Sequence, residues 1–306
     1  MTLDKMRGAP TAQGRRLDLS PNAFGELRAT DADRSSREAL LRALGEDGYL
    51  FIRGFFARER VLAARHDLLL RLGAIGWLRE GTDPDDALAS AAAEKKMLRV
   101  MAQASQPLQD LLYGKHILGF YLTLFGEAVR HFDTTWLRAY PPGMGTPPHM
   151  DTVFMGRGSK RLMTAWAPLG DIGLALGGLA VLEGSHRLDD VRNGYGRRDV
   201  DVYCSNGPGA GADAAQETYV WSGTLSDDPV GLAAELESRW LTAEFSAGDL
   251  VTFPLYTVHT GLDNNTDRIR LSSDSRYQPA AEAADPRWVG PNPIGHGSKA
   301  KVGVIC

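Results

Sequence analysis

The chain changes texture near residue 130, and that change constrains its fold more than any other feature. Before it, helical periodicity dominates. Ser35 and Glu38 stand at capping-box spacing ahead of an apolar run, which predicts a helix start. Residues 48–54 form a short β-rich run between glycines and predict a strand. Leu62, Leu69 and Leu72 fall near one helical face of residues 59–72, and residues 92–104 and 107–125 are expected to be helical too. After residue 130, short β-rich runs broken by Gly and Pro take over, at 132–140, 161–168, 178–182, 249–253 and 268–277. Helices followed by strands predict an α+β chain with a mainly β core. Many short strands with tight turns predict a sandwich or double-sheet barrel.

A chain of 306 residues is long enough for two domains, but folds with large sheets reach this size as one. The expectation is a flexible N-terminal tail over 1–20, then a single domain over 21–306 whose helical region is 21–130. Residues 194–240 break the strand rhythm with a glycine patch at 207–212 and a short helix expected at 230–238. An insertion of this length predicts a lid. Tyr195, Arg197, Arg198, Tyr203, Tyr219 and Trp221 give it a composition suited to covering a substrate.

A formal net charge of −4 argues against a general nucleic-acid binder. The two cysteines, Cys204 and Cys306, cannot form a disulfide framework and predict free thiols in a reducing compartment. No signal-like run opens the chain and no 18-residue apolar stretch occurs. The expected protein is cytoplasmic, with a small-molecule substrate and neither nucleic acid nor membrane as partner. No oligomeric state is read from the sequence.

Seven histidines are present, at 66, 116, 131, 149, 186, 259 and 296. His149 and Asp151 follow a Pro/Gly-rich loop, and on an extended chain residues i and i+2 point to the same side. One imidazole and one carboxylate would then meet at one point. A second imidazole from a distant strand would complete two histidines and a carboxylate on one metal face, the pattern of non-haem Fe(II) oxygenases. His259, just past an apolar strand, is the candidate. The spacing also arises by chance: His131 and Asp133 share it, but open a strand directly after a helix, which marks His131 as structural.

Eleven residues after His259, Arg270 and Ser272 share a strand face. A guanidinium there is suited to gripping a carboxylate. The alternative is an ordinary surface ion pair. Arg268 and Arg276 have the same parity, so alternation does not single out Arg270.

Taken in order, several stretches resemble the phytanoyl-CoA dioxygenase family of Fe(II)/2-oxoglutarate oxygenases. They are EDGYLFIRG at 46–54, HMD at 149–151, TAWAPLGD at 164–171 and GGLAVLEGSH at 177–186. GD at 248–249 ahead of His259, and RLSSDSRY at 270–277, complete the set. The resemblance implies a double-stranded β-helix (jelly roll) flanked by N-terminal helices. It implies that His149, Asp151 and His259 bind Fe(II), that Arg270 binds the distal carboxylate of 2-oxoglutarate, and that Trp166 lines the cosubstrate pocket. The implied reaction couples O2 and 2-oxoglutarate to C–H hydroxylation, releasing succinate and CO2. Related halogenases lack the carboxylate at the Asp151 position, so its presence here favours hydroxylation; desaturation or cyclisation stays open.

The sequence departs from the family in places. Many members carry a serine two residues after the distal histidine, where this chain has Gly261; Ser272 or Thr164 are the candidate replacements. A family lysine has no secure match, Lys95 and Lys96 being only in the neighbourhood. His186 is expected to be a turn residue near the site. Trp136, Trp221, Trp240 and Trp288 are expected in core or lid packing. The basic segment 157–161 could steer an anionic substrate or be a solvated turn. A cupin-type oxygenase without 2-oxoglutarate, a zinc hydrolase and a non-catalytic binding member of the family remain as alternatives.

Overall fold

The computed structural model of the chain describes residues 9–296, apart from 32, 35, 95 and 204–220. Both cysteines and Tyr219 lie outside the described residues. The chain opens with a hairpin of β1 (Thr11–Ala12) and β2 (Arg15–Arg16). There follow β3 (Phe24–Glu26), α1 (Arg37–Asp47), β4 (Leu50–Ile52), α2 (Arg58–Ala74), β5 (Lys96–Met97), α3 (Arg99–Ala104), α4 (Gln106–Tyr113) and α5 (Lys115–Phe125). Then come β6 (Val129–His131), β7 (Trp136–Tyr140), β8 (Thr146–His149), α6 (Thr152–Met155), β9 (Met163–Pro168), β10 (Leu179–Leu182) and α7 (Asp189–Asn193). The remaining elements are α8 (Pro229–Glu235), β11 (Trp240–Thr242), β12 (Leu250–Pro254), β13 (His259–Gly261) and β14 (Arg270–Pro279).

One sheet runs β3-β11-β10-β13-β8 and the other β4-β12-β9-β14-β7-β5, with β6 also on β14. They face each other as the expected jelly roll, a two-sheet sandwich rather than a closed barrel. Side-chain alternation decides what fills the space between them. Trp166 of β9, Val251 and Phe253 of β12, and Leu179 and Val181 of β10 meet in one buried cluster. Their odd-facing neighbours Met163, Ala165 and Leu250 join the helices α1, α2, α4 and α5 in the largest cluster. On β14, Leu271 and Tyr277 face those helices. Arg270, Ser272, Asp274 and Arg276 take the opposite parity and line the interior instead. The helices thus cover one side of the larger sheet, and its other side carries polar groups into the sandwich.

Several boundaries differ from expectation. Within the expected tail over 1–20, the described residues include the β1–β2 hairpin: Ala12 and Leu17 are buried in a cluster with Met150 and Trp240, and Gln13 and Gly14 adopt the positive φ of a tight hairpin turn. Ser36, not Ser35, caps α1 by accepting from the Ala39 N–H; Ser35 lies outside the described residues. Within 92–104 only Arg99–Ala104 is helical, because β5 pairs with β7 just before it. The helix expected over 107–125 is two, α4 and α5, broken at Gly114. A Cβ there would stand 2.4 Å from the Asp110 carbonyl oxygen, so only glycine fits the break. The insertion expected over 194–240 ends before Trp240, since β11 is an inner strand of the smaller sheet.

Candidate active site

The strands carrying the expected metal ligands are neighbours. His149 ends β8, His259 begins β13, and the two are partners in the antiparallel register. Their ring centroids lie 4.2 Å apart. Asp151 does not reach them by strand parity. Its backbone is already helical (φ −63°, ψ −21°) at the head of α6. The chain bends out of β8 into that turn, and the bend carries Asp151 Oδ1 to 3.9 Å from both Nε2 atoms. The three donor atoms lie within 4.8 Å of one another, and all three residues are buried.

What surrounds each side chain fixes which atom faces its companions. His149 Nδ1–H donates to the Pro147 carbonyl at 2.8 Å and His259 Nδ1–H to the Thr257 carbonyl at 3.0 Å. Both Nε2 lone pairs are thereby left for a common ligand. Asp151 Oδ2 accepts from Arg276 Nη2 at 3.0 Å and from the Thr164 hydroxyl. Arg276 and Thr164 are themselves cross-strand partners on β14 and β9. Burial draws His149 down to about 3, His259 adding to the effect, and burial lowers His259 as well. Burial alone would raise Asp151, but Arg276, the imidazoles and Thr164 hold it well below the usual carboxylate range. Two neutral imidazoles beside one carboxylate form a donor set suited to a divalent cation.

Arg270 stands at one end of the same interior face. Arg276 is matched by Asp151, and Asp274 by Arg138 of β7 at 2.6 Å. Arg270 has no carboxylate partner among the described residues. Its guanidinium lies 4.4 Å from the Tyr140 ring centre, and its Nε is buried without a hydrogen bond. Burial pulls it down to about 10. It lines a narrow cavity together with His149, His259, Thr146, Thr164 and Trp166. Ser272 lies between Arg270 and Asp274, its hydroxyl buried and unpaired, but it does not line that cavity. Thr164, the other candidate hydroxyl, spends its proton on Asp151.

Gly261 faces Thr146 across β13 and β8. A Cβ on Gly261 would stand 3.1 Å from Thr146 Oγ1, so the Thr146 hydroxyl already occupies the space beside it. Arg138 Nη1 donates to the Tyr140 hydroxyl at 3.2 Å, and the Tyr140 and Thr146 hydroxyls are 2.7 Å apart.

A second cavity, of about 200 Å³, opens directly on His149 and Asp151. Trp136, Phe154, Met155 and Trp288 give it apolar walls, Arg138 and Arg276 also line it, and Ser222 and Thr224 border it. Trp136 and Trp288 are core residues as expected, buried with Phe132, Leu162 and Leu255, and they also wall this cavity, while Trp240 donates to the Pro229 carbonyl on the far side of the smaller sheet. Ser222 and Thr224 place part of the 194–240 insertion at the cavity, and Tyr195 ties it down by donating to the Gly223 carbonyl.

Other expected residues lie elsewhere. His131 Nδ1–H donates to the Phe132 carbonyl at 2.7 Å, and its ring packs 4.3 Å from the Tyr113 ring, away from the cluster. His186 bonds the Gly45 carbonyl at 3.1 Å, and it is Ser185 that reaches the site, accepting from the N–H of Val258. Arg157 and Arg161 are engaged by Asp199, Glu127 and Glu282. Lys95 lies outside the described residues, and Lys96 pairs with Ala139. Sequence reasoning missed the roles of Arg138, Tyr140, Thr146 and Arg276; strand parity flagged Arg276 without showing which carboxylate it meets.

Among known proteins, the chain is 28% identical over 255 residues to a 1-deoxypentalenic acid 11-beta-hydroxylase from Streptomyces arenae, covering 80% of this chain and 82% of that one. Its counterpart from Streptomyces exfoliatus matches at 28% over 258 residues, with the same coverage. The epimerase SnoN from nogalamycin biosynthesis, solved with Fe3+, alpha-ketoglutarate and nogalamycin RO, shares the fold at 20% identity and a TM-score of 0.56, over 87% of this chain and 96% of that one. Residues 44–272 match the family described as phytanoyl-CoA dioxygenase (PhyH). The matched span runs from α1 to the middle of β14 and takes in the whole His149, Asp151, His259 and Arg270 constellation, so the chain belongs to the phytanoyl-CoA dioxygenase family.

Proposed function

We propose that the chain is a non-haem Fe(II)/2-oxoglutarate-dependent dioxygenase that hydroxylates a C–H bond of a small-molecule metabolite. One oxygen atom of O2 enters the substrate and the other enters succinate, with CO2 released. The observation that carries this reading is a buried two-histidine, one-carboxylate cluster whose histidines share a cavity with a buried arginine that has no carboxylate partner among the described residues. The donor set suits iron, and the unmatched guanidinium suits a carboxylate. The hydroxylase names of the curated relatives support the reaction type.

In this reading His149 Nε2, His259 Nε2 and Asp151 Oδ1 hold the iron. Bound iron, with 2-oxoglutarate and O2, supplies the oxidising power that breaks the substrate C–H bond. Arg270 takes the distal carboxylate of 2-oxoglutarate. Thr146 gives that carboxylate a second donor in place of the serine absent at Gly261. Arg138 donates to the Tyr140 hydroxyl, which leaves the tyrosine proton for Thr146 Oγ1 and the threonine proton for the cavity. Trp166 forms the apolar wall beside the cosubstrate. Trp136, Phe154 and Trp288 exclude water around the substrate. The cavity of about 200 Å³, with apolar walls and the polar side chains of Arg138 and Arg276, fits a compact metabolite carrying both apolar and polar groups. Residues 21–306 act as one catalytic domain, the inserted segment from 194 up to β11 serves as its lid, and the enzyme works in the cytoplasm. Among the described residues no helix is long and apolar enough to cross a membrane.

An anaerobic absorption titration of the metal-free chain with Fe(II), then 2-oxoglutarate, tests the reading. A weak visible charge-transfer band that needs both additions, followed by succinate release in air, is the expected result. A chain that binds Fe(II) yet gives no band with 2-oxoglutarate would move the assignment to an oxygenase without this cosubstrate.

A further inference from the structure

We propose that Arg276 and Thr164 are positioning residues that restrict Asp151 to one-oxygen ligation and weaken it as a donor. The inference rests on the iron assignment above. A carboxylate beside a metal has two oxygens to offer, and nothing in its chemistry limits it to one. Here Oδ2 is committed. It accepts a charge-assisted bond from Arg276 Nη2 at 3.0 Å and a second bond from the Thr164 hydroxyl. Both donors are buried and stand opposite each other on adjacent strands, so neither drifts independently of the sheet.

The alternative arrangement is costly. If Oδ2 turned to the metal, Arg276 would lose its nearest counter-ion while remaining fully buried. Its next carboxylate, Asp274, lies 3.9 Å away and is already held by Arg138 at 2.6 Å. Arg276 has little room to follow Asp151. Its guanidinium lies 4.6 Å from the Trp136 ring centre, and its Nε donates to the Met155 sulfur at 3.2 Å. Two consequences follow. Three positions of a six-coordinate metal stay open, as a two-oxygen cosubstrate and O2 together require. The guanidinium charge on Oδ2 also draws electron density from the carboxylate, leaving the iron less electron-rich.

The test compares the wild-type chain with Arg276→Gln and Arg276→Lys under anaerobic conditions. Three quantities are read: Fe(II) affinity, 2-oxoglutarate affinity of the Fe(II)-loaded chain, and the wavelength of its charge-transfer band. Arg276 does not line the narrow cavity that holds Arg270, but it does line the wider one that opens on His149 and Asp151, so the band position, which a mere contact would not set, decides between the two. For Arg276→Gln, 2-oxoglutarate affinity should fall about tenfold further than Fe(II) affinity. The band should move to longer wavelength, because a stronger carboxylate donor raises the metal electrons. Arg276→Lys should return the band toward the wild-type position. If Arg276→Gln fails to fold, Thr164→Val removes one of the two bonds without stranding a charge and should shift the band the same way by less. Equal losses of both affinities with an unmoved band would reduce Arg276 to a structural role and overturn the inference. So would an Arg276→Gln chain identical to wild type. A wild-type chain that takes up no Fe(II) would instead overturn the function proposed above, and this inference with it.

Discussion

Arg270 carries a buried charge that no described carboxylate answers, and this makes its contribution to stability and to binding opposite in sign. Taking a guanidinium out of water without a partner costs several kcal/mol, and apolar replacements of buried charges are often stabilising. Arg270→Met should therefore stabilise the metal-free chain by about 1–3 kcal/mol in denaturant unfolding. The same variant should lose the charge-transfer band, and 2-oxoglutarate should no longer raise its stability as ligand binding to the native state does. A large destabilisation of metal-free Arg270→Met would mean that the fold itself answers the charge. Thr146→Ala, read by the same titration, should weaken 2-oxoglutarate by roughly tenfold, the scale of one hydrogen bond to a charged group. The residues the fold gathers at this point were legible, because His149, Asp151, Trp166, His259 and Arg270 each sit in a short motif and the motifs come in order. Arg276 and Arg138 were not. Their roles depend on which carboxylate stands across the sheet, and strand parity carries no information about that.

Long elements announced themselves and short ones did not. In the ten residues of β14, Arg270, Ser272, Asp274 and Arg276 face the interior, and Leu271 and Tyr277 at the opposite parity enter the helix-facing core. β8 was hidden by Pro147 and Pro148, which lack the N–H expected of a strand but are tolerated where β8 forms the edge of its sheet. The N-terminal hairpin was hidden because its strands are two residues each, and what holds it is distant in sequence. Asp263, just beyond β13, accepts from Gln13 N–H at 3.1 Å and Gly14 N–H at 2.9 Å, and its own N–H donates to the Thr11 carbonyl at 2.8 Å. The turn places Gln13 at φ 52°, a region side chains other than glycine enter at a cost. Asp263 offsets that cost. Asp263→Ala should destabilise the chain by about 1–3 kcal/mol. Hydrogen exchange should then speed up over residues 9–17 while the β14 amides stay protected. Unchanged protection over 9–17 would show that burial of Ala12 and Leu17 alone fixes the hairpin.

At the scale of the whole molecule, the class of fold was readable from the change of texture at residue 130, whereas strand order and the two cavities arise only when the sheets close. That closure also buries two imidazoles in neutral form, which ties the stability of the entire metal-free chain to pH. In the unfolded chain each histidine takes up a proton near pH 6.5. In the folded chain His149 resists protonation down to about 3, and burial lowers His259 too. Stability is therefore fully present above pH 6.5 and is lost as the pH falls below it, because unfolding then binds protons that the folded chain refuses. Below pH 6.5 the His149 slope approaches roughly 1.4 kcal/mol per pH unit, and His259 steepens it. Half-buried His186, also lowered by burial, adds a smaller loss of the same sign. Asp151 is lowered too and so costs stability in the same direction, but its unfolded value lies near 3.8, below this window. Between pH 6.5 and 5 His149 alone removes roughly 2 kcal/mol, and His259 adds a loss of the same sign. A divalent cation on both Nε2 atoms blocks the same protons, so Mn(II) or Co(II) should flatten the loss to the part owed to His186. Urea unfolding at pH 7.5, 6.5 and 5.5, with and without the metal, measures both slopes. A metal-free chain whose stability is flat over that range would show that the two imidazoles are not held neutral side by side, and would remove the charge state on which the metal site depends.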